Sequence, residues 1–170
     1  MFEIDDYIIY GNHGVCKVVE IGGLDISGFD KSKECYTLQP VFSKASTLYT
    51  PVDNEKVLMR KVISSDEAQD LIDRISDTEL LWIENDKQRE EAYKDALRTH
   101  DCTQWVRIIK TLFVRKQERL LAGKKLTFTD EKYLGIAKDC LYGELSIALD
   151  REKDDVEELV LDCLEQLNMV

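Results

Sequence analysis

A chain of 170 residues, 44% hydrophobic and 34% charged, is long enough to bury a core and too apolar to be disordered. No apolar run approaches the roughly 18–20 residues of a membrane span, and the acidic N-terminus MFEIDDY is unlike a secretory leader, so neither membrane insertion nor export is expected. A net charge of −11 argues against a general nucleic-acid binder.

The first 60 residues read as strands. YIIY, GVCKVVEI, ECYTLQPV and STLYTPV are short, rich in β-branched and aromatic residues, and separated by clusters of Gly, Asp, Ser and Asn. GGLDISGFDKSK, residues 22–33, reads as a hairpin or a longer connection. Such strands with close turns predict a small, strongly bent antiparallel sheet or barrel. Pro40 and Pro51 belong at strand ends or on an edge, because neither can donate to a ladder. GNHG, residues 11–14, has the spacing of a loop that clamps nucleic-acid backbone, but that loop joins two helices and strands flank this one. It therefore reads as a tight turn in which Gly11 and Gly14 supply the backbone freedom and His13 bonds locally.

From Ser64 the period becomes helical. Ser64 and Glu67 have capping-box spacing, and Ala68, Leu71, Ile72 and Ile75 follow on one face. Asn85 or Asp86 opens a second helix, with Ala92, Tyr93, Ala96 and Leu97 inward. Trp105, Ile108, Ile109, Leu112 and Phe113 mark a third, ending near Gly123. Thr127 or Thr129 opens a fourth, with Leu134, Ala137, Leu141, Leu145 and Ala148 along its stripe. Asp154 and Glu157 start a fifth. The fold class is thus α+β, a β-domain over residues 1–60 followed by an all-helical domain over 61–170.

Charge is distributed in blocks. Residues 1–86 carry 8 basic against 17 acidic groups, residues 87–138 carry 13 against 7, and residues 139–170 carry 2 against 10. The basic middle is either a solvated helical face or a phosphate-binding surface, for which Lys87, Arg89, Lys94, Lys110, Arg115 and Arg119 are the candidates. Trp82 falls between two helices and outside either apolar stripe. It is either a plug between helices or an exposed wedge for a base step or a partner pocket. Trp105 sits on the regular stripe and is expected in the core. Glu144 interrupts the fourth helix's apolar face, which predicts a buried, hydrogen-bonded carboxylate tying helices together.

Catalytic chemistry is poorly supported. His13 and His100 lie in different domains with no ligand at helical spacing, and the five scattered cysteines form no CxxC pair. AGKKLT, residues 122–127, lacks the first glycine and the preceding strand of a P-loop. No catalytic residue, metal or cofactor is expected, and the cysteines are read as reduced, packed thiols in a cytoplasm.

IDDYIIYGNHGVCKVVEI resembles the opening of the CarD/CdnL family of bacterial transcription regulators, where a G-D-x-V-V-Y-P-x-H-G run is usual. RIIKTLFVRKQERLLAGKKLT and, further on, DEKYLGIAKDCLYGEL are similar to that family's helical domain, so the resemblance spans nearly the whole chain. It implies a Tudor-like N-terminal β-barrel that binds the β subunit of RNA polymerase by adding a strand edge to the β lobe. In this chain that edge is Ser46, Thr47, Leu48, Tyr49, Thr50 and Pro51. It also implies a helical domain contacting promoter DNA at the upstream edge of the bubble, largely independent of sequence, with Trp82 as a minor-groove wedge that stabilises the open complex. Tyr49 stands where the family often has arginine, Gly11 where proline is common, and IEND separates Trp82 from Lys87 and Arg89. The alternative reading is a protein–protein adaptor without DNA contact. The expected location is the cytoplasm, at the nucleoid through polymerase.

Overall fold

The computed structural model describes residues 1–23 and 32–167, so most of the connection expected over residues 22–33 lies outside the described residues. Backbone contacts divide the chain into two compact units, Met1–Val62 and Ile63–Val170.

The first unit is a five-stranded antiparallel sheet in the order β4-β3-β2-β1-β5. Its strands are β1 (Tyr7–Tyr10), β2 (Val15–Gly22), β3 (Cys35–Pro40), β4 (Leu48–Pro51) and β5 (Met59–Lys61). The four hydrophobic runs become β1 to β4, and both prolines are the last residues of their strands. β2 pairs with β1 through Val15, Cys16 and Lys17 and with β3 from Cys16 to Gly22, and its register shifts between Val18 and Glu20. Such a bulge bends a strand and increases its twist. Ile8, Tyr10, Cys16, Val18, Tyr36 and Leu38 form the core, alternating along β1, β2 and β3 as a period of two requires. β5 has no sequence signature, because Met-Arg-Lys neither alternates nor carries β-branched residues. Its pairing of Ile9 with Arg60 is imposed by β1.

GNHG is the turn between β1 and β2. Gly11–His13 make one turn of 3₁₀ helix, and the His13 ring stacks on Tyr10 with centroids 5.3 Å apart. Gly11 and Gly14 have φ of 47° and 73°.

Among the described residues the second unit holds five α-helices: α1 (Ser65–Asp73), α2 (Asp86–Arg98), α3 (Cys102–Leu121), α4 (Phe128–Leu149) and α5 (Lys153–Gln166). α1 opens with both bonds of a capping box between Ser64 and Glu67. Asn85 caps α2 by accepting from the Gln88 N–H, and Thr127 caps α4 by accepting from that of Asp130. α5 begins at Lys153 rather than at Asp154, which lies with Asp155 in the first turn, where the helix dipole favours anions. α3 is the central helix. Trp105, Val106, Ile108, Ile109 and Leu112 are buried on it, packed with Tyr93, Tyr133, Ala137, Leu141, Leu145, Val156, Val160 and Leu164. Glu144 is fully buried on α4. It accepts from the Ile63 N–H at 2.9 Å and the Cys102 thiol at 3.0 Å, tying α4 to α3 and to the entry of α1.

Gly11 has no room for a side chain where it stands. A Cβ there would stand 2.7 Å from Cγ1 of Val57, at a φ that costs an L-residue about 1–2 kcal/mol. Gly11→Ala is expected to lower the denaturant midpoint of the sheet unit by the equivalent of about 1–3 kcal/mol. An unchanged midpoint would show that the turn relaxes freely.

Candidate functional site

Two exposed features stand out, one in each unit. In the sheet, β4 is an edge: Leu38, Thr37, Tyr36 and Cys35 pair it on one side, and among the described residues no strand pairs it on the other. The six residues expected to form the edge are not equivalent. Ser46 is exposed, the Thr47 hydroxyl donates to Gln39 Oε1, and Leu48 and Pro51 are half-buried. Thr50 is buried and accepts from the Asn54 amide at 2.8 Å. Tyr49 points outward, 38% exposed, and Val41 and Phe42 in the β3–β4 connection are exposed as well.

In the helical unit the feature is Trp82. After α1 a 3₁₀ turn, Ile75–Asp77, leads into residues 78–84, which have no regular structure, and then into α2. Leu81 is half-buried against the core, whereas the next side chain, Trp82, is 39% exposed. Trp105, by contrast, is 1% exposed. Trp82 is thus more open to solvent than the core tryptophan.

The backbone around Trp82 is held from two sides. Lys110 Nζ donates to the carbonyls of Ser76 and Thr78 at 2.9 and 2.7 Å, and Arg107 Nε donates to that of Glu79 at 3.3 Å. The Leu81 N–H donates to Thr111 Oγ1 at 2.8 Å. On the far side Arg89 Nη1 lies 3.4 Å from the carbonyls of Ile83 and Glu84.

The six cations expected to meet phosphate separate accordingly. Arg89, 2% exposed, pairs with Asp130 at 3.1 Å and Asp86 at 2.9 Å, and Lys110, 8% exposed, is committed to its two carbonyls. Arg115 donates to the other oxygen of Asp130 at 2.8 Å. Arg89 and Lys110 are thus buried and bonded within the fold, and Arg115, half-buried, is bonded to the same carboxylate as Arg89. Arg119 donates to the Lys125 carbonyl on the half-exposed end of α3. Lys94, half-exposed, lies 3.6 Å from both Glu90 and Glu91, whose charges raise its pKa together with that of Tyr133. Lys87 is exposed at the start of α2.

Residues 2–63 match the CarD-like/TRCF RID domain, and residues 70–161 match the CarD C-terminal domain. The chain belongs to the CarD/CdnL family. It is therefore an RNA polymerase-interacting transcription regulator of a non-catalytic, regulatory family, with the sheet unit as its polymerase-interacting domain. No match was found among curated proteins.

The thiol chemistry of this CarD-family chain is muted. Burial pushes the Cys16 thiol, near His13 in sequence, up to about 11, so it is not a thiolate at neutral pH. Among the described residues no group of His, Cys, Asp and Glu is arranged to hold a metal, and no helix is long and apolar enough to cross a membrane.

Two parts of the CarD C-terminal domain escape sequence reading. Asp130 carries no mark beyond its spacing from Thr127, yet it is fully buried and accepts from Arg89, Arg115 and, at 3.4 Å, the Tyr93 hydroxyl. Arg107, Lys110 and Thr111 share one side of α3 at i, i+3 and i+4, a spacing that hints at joint action but not at its target.

Burial pushes the Asp130 carboxyl up, but the hydrogen bonds and charges of Arg115 and Arg89 more than offset this and hold it below the usual range. A carboxylate depressed in the folded state stabilises the fold above its unfolded pKa of about 3.9 and loses that contribution as pH falls further. Asp130→Asn leaves two cations without their anion and is expected to cost about 3–5 kcal/mol at pH 7. It should also flatten the loss of stability below pH 4 in urea titrations, and a variant with the parental acid limb would show that Asp130 does not set it.

Proposed function

We propose that the chain engages the polymerase β lobe through the β4 edge and promoter DNA through Trp82, at the upstream edge of the bubble, where it stabilises the open complex. The observation that carries this reading is the exposed Trp82 on a backbone bonded on both sides. A large aromatic outside the core, on a segment hydrogen-bonded to α3, suits insertion at a base step. Lys87 supplies a phosphate contact beside it, with Lys94 and Arg119 as further contacts. Lys94 can exchange its glutamates for phosphate, since exposed ion pairs contribute little. Such contacts read backbone and shape, so recognition is largely independent of sequence. At β4, strand addition draws on main-chain hydrogen bonds, with Tyr49 setting the fit. The acidic remainder keeps the protein off bulk DNA, so that it acts in the cytoplasm only where polymerase holds it at a promoter.

A second reading, an adaptor without DNA contact, draws on Leu121 and Phe128, which flank the α3–α4 turn at 91% and 85% exposed. The two readings part on one variant. Trp82→Ala is expected to keep the melting temperature within a few degrees and to keep polymerase binding, yet to shorten the open-complex lifetime. Trp105→Ala, the control, should lose about 3–5 kcal/mol of stability. An unchanged lifetime for Trp82→Ala favours the adaptor.

Two further outcomes follow from the same geometry. Tyr49→Glu should weaken pull-down of the β lobe while the sheet unit stays folded. Lys87→Ala should lower the slope of DNA binding against salt by about one unit, and Lys110→Met should not lower it directly, since its ammonium faces carbonyls.

A further inference from the structure

Residues 78–84 have neither helix nor strand, and a segment of that kind ordinarily opens at little cost in free energy. Here the backbone is bonded at residues 76, 78, 79 and 81 before Trp82, and at 83 and 84 after it. Four of those bonds come from one side of α3. Lys110 stands out among the donors. It is almost fully buried, where an ammonium is expensive, and it donates to the carbonyls of Ser76, in the 3₁₀ turn, and Thr78, at the start of the segment. Thr111, 1% exposed, follows it on the helix, and its hydroxyl takes the N–H of the residue immediately before the tryptophan. An apolar pair at these two places would fill the same volume, but would leave the Leu81 N–H and two carbonyls without these partners.

We propose that Lys110 and Thr111 are positioning residues for Trp82, fixing the backbone so that the indole is presented in a single orientation. This rests on the reading that Trp82 contacts promoter DNA. Fixing the segment in the free protein removes an ordering cost that DNA binding would otherwise carry, as preorganisation does at any interface. Leu81, half-buried against the core, anchors the segment, and Trp82, the next residue, is 39% exposed.

The test uses the full-length chain labelled with 5-fluorotryptophan, whose two ¹⁹F resonances are assigned with Trp82→Phe. Thr111→Val keeps the shape and removes the acceptor, whereas Thr111→Ser keeps the hydroxyl. Thr111→Val is expected to shift and broaden the Trp82 resonance, to leave that of Trp105 in place, and to shorten the open-complex lifetime about tenfold, with Thr111→Ser close to the parent in both. In a Trp82→Ala background Thr111→Val should shorten the lifetime no further. Lys110→Met serves as a second variant with the same expected pattern should Thr111→Val fail to fold. An unmoved Trp82 resonance in the folded variants, or lifetime losses that multiply with Trp82→Ala, would overturn the proposal. A parental lifetime for Trp82→Ala alone would instead remove the DNA reading, and the resonance would still decide whether the clamp orients the indole.

Discussion

One buried carboxylate, Asp130, engages two cations of the basic middle of this chain and joins the helices that carry them. It lies in the first turn of α4, where the helix dipole favours an anion, and it is removed from water. An isolated buried carboxylate is untenable, so it must be met by cations and hydrogen bonds. Arg89 from α2 and Arg115 from α3 meet it through one oxygen each, and Tyr93 adds a hydroxyl. Three helices are thereby joined at one point. Arg89 also reaches the carbonyls that follow Trp82, so the anion that organises the interior also supports the exposed segment.

Glu144, the second buried acid on α4, is bonded differently. Its contacts include a main-chain N–H at the start of the unit and a thiol, and they tie the entry of α1 and α3 to α4. A buried acid interrupting an apolar stripe is legible from pattern alone, and so Glu144 can be read in the sequence. Asp130 cannot, because its partners lie 41 and 15 residues away and nothing local announces that they meet.

The same distinction explains how far the remaining sequence could be read. Helix starts at Ser64, Asn85 and Thr127 are written in a few adjacent residues, since a cap bonds a backbone N–H two or three positions on. The exposure of Trp82 and the burial of Trp105 follow from being off or on a stripe. β5 was not legible, being three residues whose only reason to be extended is the free side of β1. Nor was the division among the six basic candidates. Net charge counts side chains and does not report which of them are consumed by an acid or a carbonyl inside the fold, as Arg89, Lys110 and Arg115 are.

The brevity of β4 has a kinetic consequence. Strand addition is limited by the length of edge on offer, and here that is four residues closed by Pro51, whose nitrogen donates nothing. A partner strand can form only a few main-chain bonds there, and each adds little net free energy in water. Affinity differences of this kind fall mainly on dissociation. On the proposed reading of β4 as the polymerase contact, the protein leaves the enzyme readily, and its occupancy tracks its concentration rather than its history of binding.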